Sequence, residues 1–405
     1  MHRAVWVVVH RWVGLTLAAF LVVIGLTGSM LAFMPELSRW LAPELFPGPH
    51  GEIELDAATL AGRAENLIPR GRVMAVDLKN EGTAAIGMEA RLEDAPLDFD
   101  VLYLDAATGA ELGRARQSGL PTRASEIMPF IYNLHTQLMA GDMGGWVAGF
   151  VALIWTLDCF VAFYLTLPAR SHRPPRSFIA RWRHAWRVKI PASSYRINFD
   201  LHRAGGLWLW AALLIFAWSG VYMDLNGFYT RATELVFDYE QPVWARPAPP
   251  PREEDNRPLL DWRAAYEIAL QLMENQSREK RFSVGRPVAF YLFRDKVLYE
   301  YSVRSSRDVG DRSGRSTIDF DAHTGALDSV SLPTGQWAGT TLTTWLVELH
   351  MANLFGLPYK IFVSGLGAAI VTLSATGVYI WWKKRSARKL HARTTAKRLL
   401  EKFQA

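Results

Sequence analysis

Cysteine is almost absent: Cys159 is the single one in 405 residues, and it falls inside an apolar run. Disulfides, zinc held by thiolates, iron–sulfur clusters and covalently attached c-type haem are therefore excluded within one chain. No Gly-x-Gly-x-x-Gly follows a strand-like segment, so the chain is not expected to bind NADH or flavin itself. Charge is nearly missing from Val13 to Phe33, Trp146 to Leu167, Leu207 to Met223 and Ile361 to Trp382, with Asp158 the exception. Each stretch is close to the roughly 20 residues that cross a bilayer core, which predicts four transmembrane helices. Acids are missing altogether from Pro168 to Phe199, which carries Arg170, Arg173, Arg176, Arg181, Arg183, Arg187, Lys189 and Arg196.

What is present then sets the topology. The tail from Lys383 holds nine Lys or Arg against Glu401 alone, so it and the acid-free loop are expected in the cytoplasm. The first apolar run is too long for a signal peptide, and Leu31-Ala32-Phe33-Met34 is a poor cleavage site, so an uncleaved helix is expected. The mixed-charge segments Pro35 to Gly145 and Asp224 to Tyr359 then lie on the other face, the periplasm of a bacterium. The expectation is a multi-pass protein of the bacterial inner membrane, surrounded by lipid, with both ends cytoplasmic. The net charge of +6 is a topology signal and points to no nucleic acid.

The chain also repeats itself. His10 and His202 are each followed by Arg at one residue, Gly at four, Leu at five and Gly at eighteen (Gly28 and Gly220). Leu134-His135 and Leu349-His350 each have Gly six residues on and Tyr twenty-nine on. Between these landmarks each half holds a small α+β segment. Asp56 to Leu67 and Trp262 to Met273 have helical spacing. Arg72 to Leu78, Ala84 to Met88, Phe99 to Leu104, Pro287 to Phe293, Val297 to Arg304 and Ser316 to Phe320 are strand-like, with matching turns at Asp105 to Gly109 and Asp321 to Gly325. The predicted fold is a membrane α-helical, four-transmembrane-helix bundle built as two parallel repeats with two small α+β periplasmic modules. Its divisions are residues 1–34 (first helix), 35–123 (first module), 124–168 (amphipathic segment and second helix), 169–200 (basic loop), 201–225 (third helix), 226–338 (second module, after a Pro247 to Pro251 linker), 339–383 (amphipathic segment and fourth helix) and 384–405 (basic tail).

Topology places His10 and His202 at the cytoplasmic ends of helices one and three, and His135 and His350 at the periplasmic ends of helices two and four. An imidazole pair on each side suits a metal or haem iron, and Gly14, Gly206, Gly25, Gly28 and Gly220 could leave room for a flat macrocycle or serve helix packing. Arg11 and Arg203 could pair with haem propionates or simply flank the helices as positive-inside residues. Zinc is less suited, since a tetrahedral site needs four ligands. Asp158 is a candidate intramembrane functional acid, in proton movement or in orienting a ligand. His323 reads as a turn residue, and Met128, Met139 and Met143 as gap fillers rather than thioether ligands.

His10-Arg11-Trp12-Val13-Gly14-Leu15, Leu134-His135 with Gly141, Asp200-Leu201-His202-Arg203 with Trp208, and Leu349-His350 with Phe355-Gly356 resemble, in order, the PepSY-associated transmembrane helix family. The two turns resemble those of its PepSY modules. Members include bacterial inner-membrane reductases of ferric siderophores. The resemblance implies two b-type haems ligated by His10, His135, His202 and His350, with a ferric siderophore as periplasmic substrate; because the chain lacks a nucleotide fingerprint, the electron donor is expected elsewhere, either quinol or a soluble cytoplasmic reductase. The pairing of His10 with His202 and of His135 with His350 comes from topology. The pattern departs at Trp12, whose counterpart is Ala204, so the two haem pockets are expected to differ in shape. The other classes open to the sequence are a membrane-anchored periplasmic binding or regulatory protein without redox activity, and a transporter subunit.

Overall fold

The computed structural model of the chain describes residues 3–49, 53–91, 94–169, 177–249, 258–311 and 313–404. Arg170, Arg173, Arg176 and His172 of the basic loop, and Pro250 and Pro251 of the expected linker, lie outside them. Helix α1 (Arg3–Leu31) contains no proline and starts well before the first apolar run, so His10 sits inside a helix rather than on a lead-in. Pro35, which cannot continue a helix interior, opens α2 (Met34–Leu41). Helix α3 (Ala57–Leu67) is capped by Asp56, whose carboxylate accepts the Thr59 N–H. Strands β1 (Gly71–Asn80), β2 (Thr83–Ala90), β3 (Val101–Asp105) and β4 (Glu111–Ala115) follow, then α4 (Ile127–Gln137) and α5 (Gly141–Thr166).

After α6 (Phe178–Trp182) in the basic loop, the second half runs through the same order. Its elements are α7 (Ser194–Trp208), α8 (Trp210–Asp224), α9 (Asn226–Glu234), α10 (Trp262–Lys280), β5 (Val284–Phe293), β6 (Leu298–Ser305), β7 (Ser316–Asp321), β8 (Leu327–Ser331), α11 (Ala338–His350) and α12 (Gly356–Gln404). Both passages from the short helix into the long one turn through residues of positive φ. Leu138, Met139 and Gly141 do so before α5, and Ala352, Phe355 and Gly356 before α12. The two glycines supply part of that turn without a Cβ clash.

Three helices, α1, α5 and the Gly356–Lys389 part of α12, are long and apolar enough to span a bilayer; α7 and α8 make a fourth if taken as one span. The third span, expected as one helix over Leu207 to Met223, is broken near its start: α7 and α8 meet at Leu209 with a bend of 67°. The break follows the Gly205-Gly206 pair. The indoles on either side of it are held by separate acceptors: Trp208 Nε1 donates to Trp186 O at 3.1 Å and Trp210 Nε1 to Cys159 O at 2.9 Å.

The two expected modules are not separate bodies. Strand β1 pairs antiparallel with β5, Val76 facing Phe290, so all eight strands form one sheet in the order β4-β3-β2-β1-β5-β6-β7-β8. The cause is edge satisfaction. Each four-stranded half leaves β1 or β5 with unpaired backbone groups, and joining them satisfies both edges at once. Helices α3 and α10 cover one face over a single core containing Leu60, Ile86, Leu102, Phe290, Tyr299 and Phe320. Strands β4 and β8, unanticipated in the sequence, are short outer strands with largely half-exposed residues.

Small residues bring the apolar helices together. A Cβ on Gly25 of α1 would stand 2.8 Å from the Gly367 carbonyl oxygen of α12, and Ser29 Oγ donates to Ser364 O at 2.9 Å beside it. Gly149 of α5 would similarly meet Leu225 beyond α8. The sheet is latched to the helical layer two residues before a histidine in each half. The Asn133 amide donates to Gln117 O, and the wholly buried Glu348 carboxylate accepts from Ser313 Oγ at 2.7 Å and from Arg315 Nε.

Candidate functional site: two facing histidine pairs

The apolar helices carry two histidine pairs in two tiers. His10 of α1 and His202 of α7 bring their ring centres to 6.1 Å with planes inclined at 50°. His135 of α4 and His350 of α11 stand 6.2 Å apart at 76°. Thr27 touches the second pair and follows His10 on α1 by seventeen residues, so at 1.5 Å per residue the tiers are about 25 Å apart along the helix. The first tier is at the end of the chain termini, the second at the sheet.

Each ring has its Nδ1 held by a neighbouring helix. His10 Nδ1 lies 3.0 and 2.9 Å from the two carboxylate oxygens of Asp158 on α5. His135 Nδ1 is 2.9 Å from Thr27 Oγ1, and His350 Nδ1 is 2.6 Å from Ser219 Oγ. His202 Nδ1 is 3.0 Å from Leu373 O and 3.2 Å from Thr376 Oγ1. The three hydroxyls spend their own protons on carbonyls one turn back: Thr27 on Val23, Ser219 on Ile215 and Thr376 on Thr372, at 2.7, 2.8 and 2.7 Å. Toward histidine they can only accept. All four Nδ1 atoms therefore carry the proton, and each Nε2 keeps its lone pair for a ligand.

The separations suit one metal between two rings. Ring centres 6.1 and 6.2 Å apart would let both imidazoles of a tier hold a single iron between them. Glycines seat two of the rings flush against a helix: a Cβ on Gly28 would lie 3.0 Å from His135 Cε1, and one on Gly377 3.2 Å from His202 Cε1. Phe216 stacks on His350 at 4.8 Å.

The glycines singled out in the sequence divide by environment. Gly25 packs on α12 and Gly220 on Ala152, while Gly14 has nothing within 4 Å of a built Cβ and Gly206 only Leu373 at 4.0 Å, so space is open beside the first tier. A groove of about 610 Å³, lined by Ala18, Ala19 and Val22 of α1 and Ser374, Ala375 and Val378 of α12 among others, opens between those helices.

Residues 7–384 match the family described as PepSY-associated TM region, a span that includes all four histidines and both latches. The chain belongs to the PepSY-associated TM region family. No curated protein is similar to it. In this PepSY-associated TM protein the remaining site candidates fall as follows. Arg203 bonds Asp200 Oδ1 and the carbonyls of His184 and Arg187, which fastens the basic loop to α7, and Asp200 is itself wholly buried. Arg11 lies over the Trp12 ring. Both arginines nevertheless keep a buried Nε without an acceptor among the described residues, which suits a carboxylate arriving from a bound group. His323 caps a turn against Pro258 O, and Met128 is buried packing. No cluster of three or more His, Cys, Asp or Glu suited to a metal is found among the described residues, so these sites offer two protein ligands each. Sequence reasoning missed Thr27, Ser219 and Thr376. The first two were within its reach, because each follows a histidine of the first tier by seventeen residues.

Proposed function

We propose that this protein is a di-haem reductase of the bacterial inner membrane, taking single electrons from a quinol or a soluble cytoplasmic reductase and delivering them to ferric siderophores on the periplasmic side. His10 and His202 would hold the cytoplasmic-side haem, His135 and His350 the periplasmic-side one, in a four-helix bundle built from two repeats and topped by PepSY modules. Bound b-type haem supplies one-electron exchange at a potential set by its ligands, burial and hydrogen bonds. The chain's own residues do the rest. Asp158, Thr27, Ser219 and the Leu373 carbonyl fix the Nδ1–H tautomer and the ring directions, so no reorganisation accompanies ligation. Gly28 and Gly377 let two of the rings lie close to their helices. Arg11 and Arg203 offer Nε–H groups to propionates. The sheet and its helices form the periplasmic body on which a ferric chelate would dock.

For the substrate, one electron is sufficient chemistry. Siderophores present hard oxygen donors matched to iron(III), and they hold iron(II) far more weakly, so reduction releases the metal without an acid–base dyad or nucleophile. The observation that carries this reading is the pair of 6.1 and 6.2 Å histidine contacts with every Nδ1 already committed. The test is an optical spectrum of the purified protein with a haem count. Two b-type haems per chain are expected, falling to one in His350→Ala; a colourless protein made with ample haem supply ends the proposal.

A further inference from the structure

The four histidines differ in one respect that their shared geometry conceals. Three donate to neutral oxygens, the hydroxyls of Thr27 and Ser219 and the carbonyl and hydroxyl of Leu373 and Thr376. His10 alone donates to a carboxylate, both oxygens of Asp158 within 3.0 Å. Asp158 is 9% exposed, and His10 is its only hydrogen-bond partner among the described residues. The contrast is confined to one position of the repeat. Asp158 follows His135 by twenty-three residues, and Leu373 follows His350 by twenty-three. The two positions do the same job on opposite sides of the first tier, one with a negative side chain and one with a backbone carbonyl.

We infer that Asp158 sets the direction of electron flow by lowering the reduction potential of the cytoplasmic-side haem below that of its periplasmic-side neighbour. This rests on the reading proposed above. A carboxylate accepting Nδ1–H pushes electron density through the ring onto Nε2 and places a negative charge near the iron in a poorly solvated interior. Both effects favour iron(III) over iron(II). Thr27 and Ser219, as neutral acceptors, exert much less of this pull on the sheet-side tier. The chain thereby makes the step from the first tier to the second downhill. Asp158 acts through His10 and is a positioning residue rather than a catalytic one.

A spectroelectrochemical titration of the purified two-haem protein tests this without any substrate. Asp158→Asn keeps an acceptor for His10 and removes the charge. Two haems should remain, one midpoint should rise by at least tenfold in its redox equilibrium, 59 mV for one electron, and the other should stay where it was. Asp158→Glu should keep wild-type midpoints. Unmoved midpoints in Asp158→Asn, or an equal shift of both, overturn the inference. Should Asp158→Asn fail to retain haem, His350→Ala decides. The single haem it keeps is the first-tier one, and its midpoint must match the lower of the two wild-type values; a match to the higher value overturns the inference. A wild-type protein without haem would instead end the functional reading itself.

Discussion

Arg315→Ala is the sharpest probe of how the sheet is fixed to the helical layer. Glu348 is 0% exposed; one carboxylate oxygen takes both the Ser313 hydroxyl and the Arg315 guanidinium, and the other has no partner among the described residues. Removing the arginine leaves a buried negative charge with one neutral hydrogen bond. Stripping one partner from a fully buried pair costs about 3–5 kcal/mol. The Arg315 side chain is 32% exposed, so solvent screens part of the attraction, and the expectation drops to about 2–3 kcal/mol. Glu348→Gln alone removes charge but keeps hydrogen-bonding capacity, at about 1 kcal/mol. The double variant should then be more stable than Arg315→Ala, because the second change removes the orphaned charge, giving a coupling of roughly 2 kcal/mol. Denaturant unfolding of the detergent-solubilised protein, followed by tryptophan fluorescence, measures all three. If Glu348→Gln destabilises the Arg315→Ala background further, or if Arg315→Ala changes stability by less than about 0.5 kcal/mol, the latch is not what holds this corner.

Gly28→Val would push a branched side chain into His135, and on the proposed reading should lower the haem content from two to one, the loss confined to the sheet-side tier. Gly367→Ala drives a Cβ into the Gly25 carbonyl oxygen, so α1 and α12 must part; a loss of about 1–3 kcal/mol is expected, with Gly365→Ala, which meets nothing within 4 Å, as the neutral control in the same thermal melt. Glu300 and Asp319 face each other across β6 and β7. Burial first, and for Glu300 the Asp319 carboxyl next, raises both above the ordinary carboxylate range. Raised folded-state values mean that their contribution is fully present below about pH 4 and is lost as pH rises through the neutral range. Glu300→Gln should therefore raise the melting temperature at pH 8 and leave it nearly unchanged at pH 4.5; an equal gain at both would show that the charge is not responsible.

Much of this was legible in the chain. The apolar runs exposed the candidate membrane-crossing helices because a bilayer demands a length and a lack of charge that little else does, and the positive-inside topology sorted the four histidines into two pairs. The bend at Leu209 was not legible, since a break between two equally apolar helices leaves the hydropathy pattern intact. Nor was the single sheet: the alternation in β1 and β5 marks each as a strand, but which edge Val76 meets is decided by three-dimensional proximity to Phe290. The residues that orient the histidines were hidden for a third reason. A Thr or Ser in an apolar helix commonly bonds its own backbone, as Thr27 and Ser219 do, and only the structure shows the second lone pair turned toward a ring.

The seam between β1 and β5 has a mechanical consequence. Prising the two halves of the extramembrane body apart would break backbone bonds along Ala75 to Asp77 and lay bare Val76 and Phe290, neither of which has any exposed surface. The halves must therefore turn together. A rocking cycle, in which one repeat swings against the other to open each face in turn, would have to rip its own roof. On the function proposed above the join is no obstacle, because an electron needs no opening.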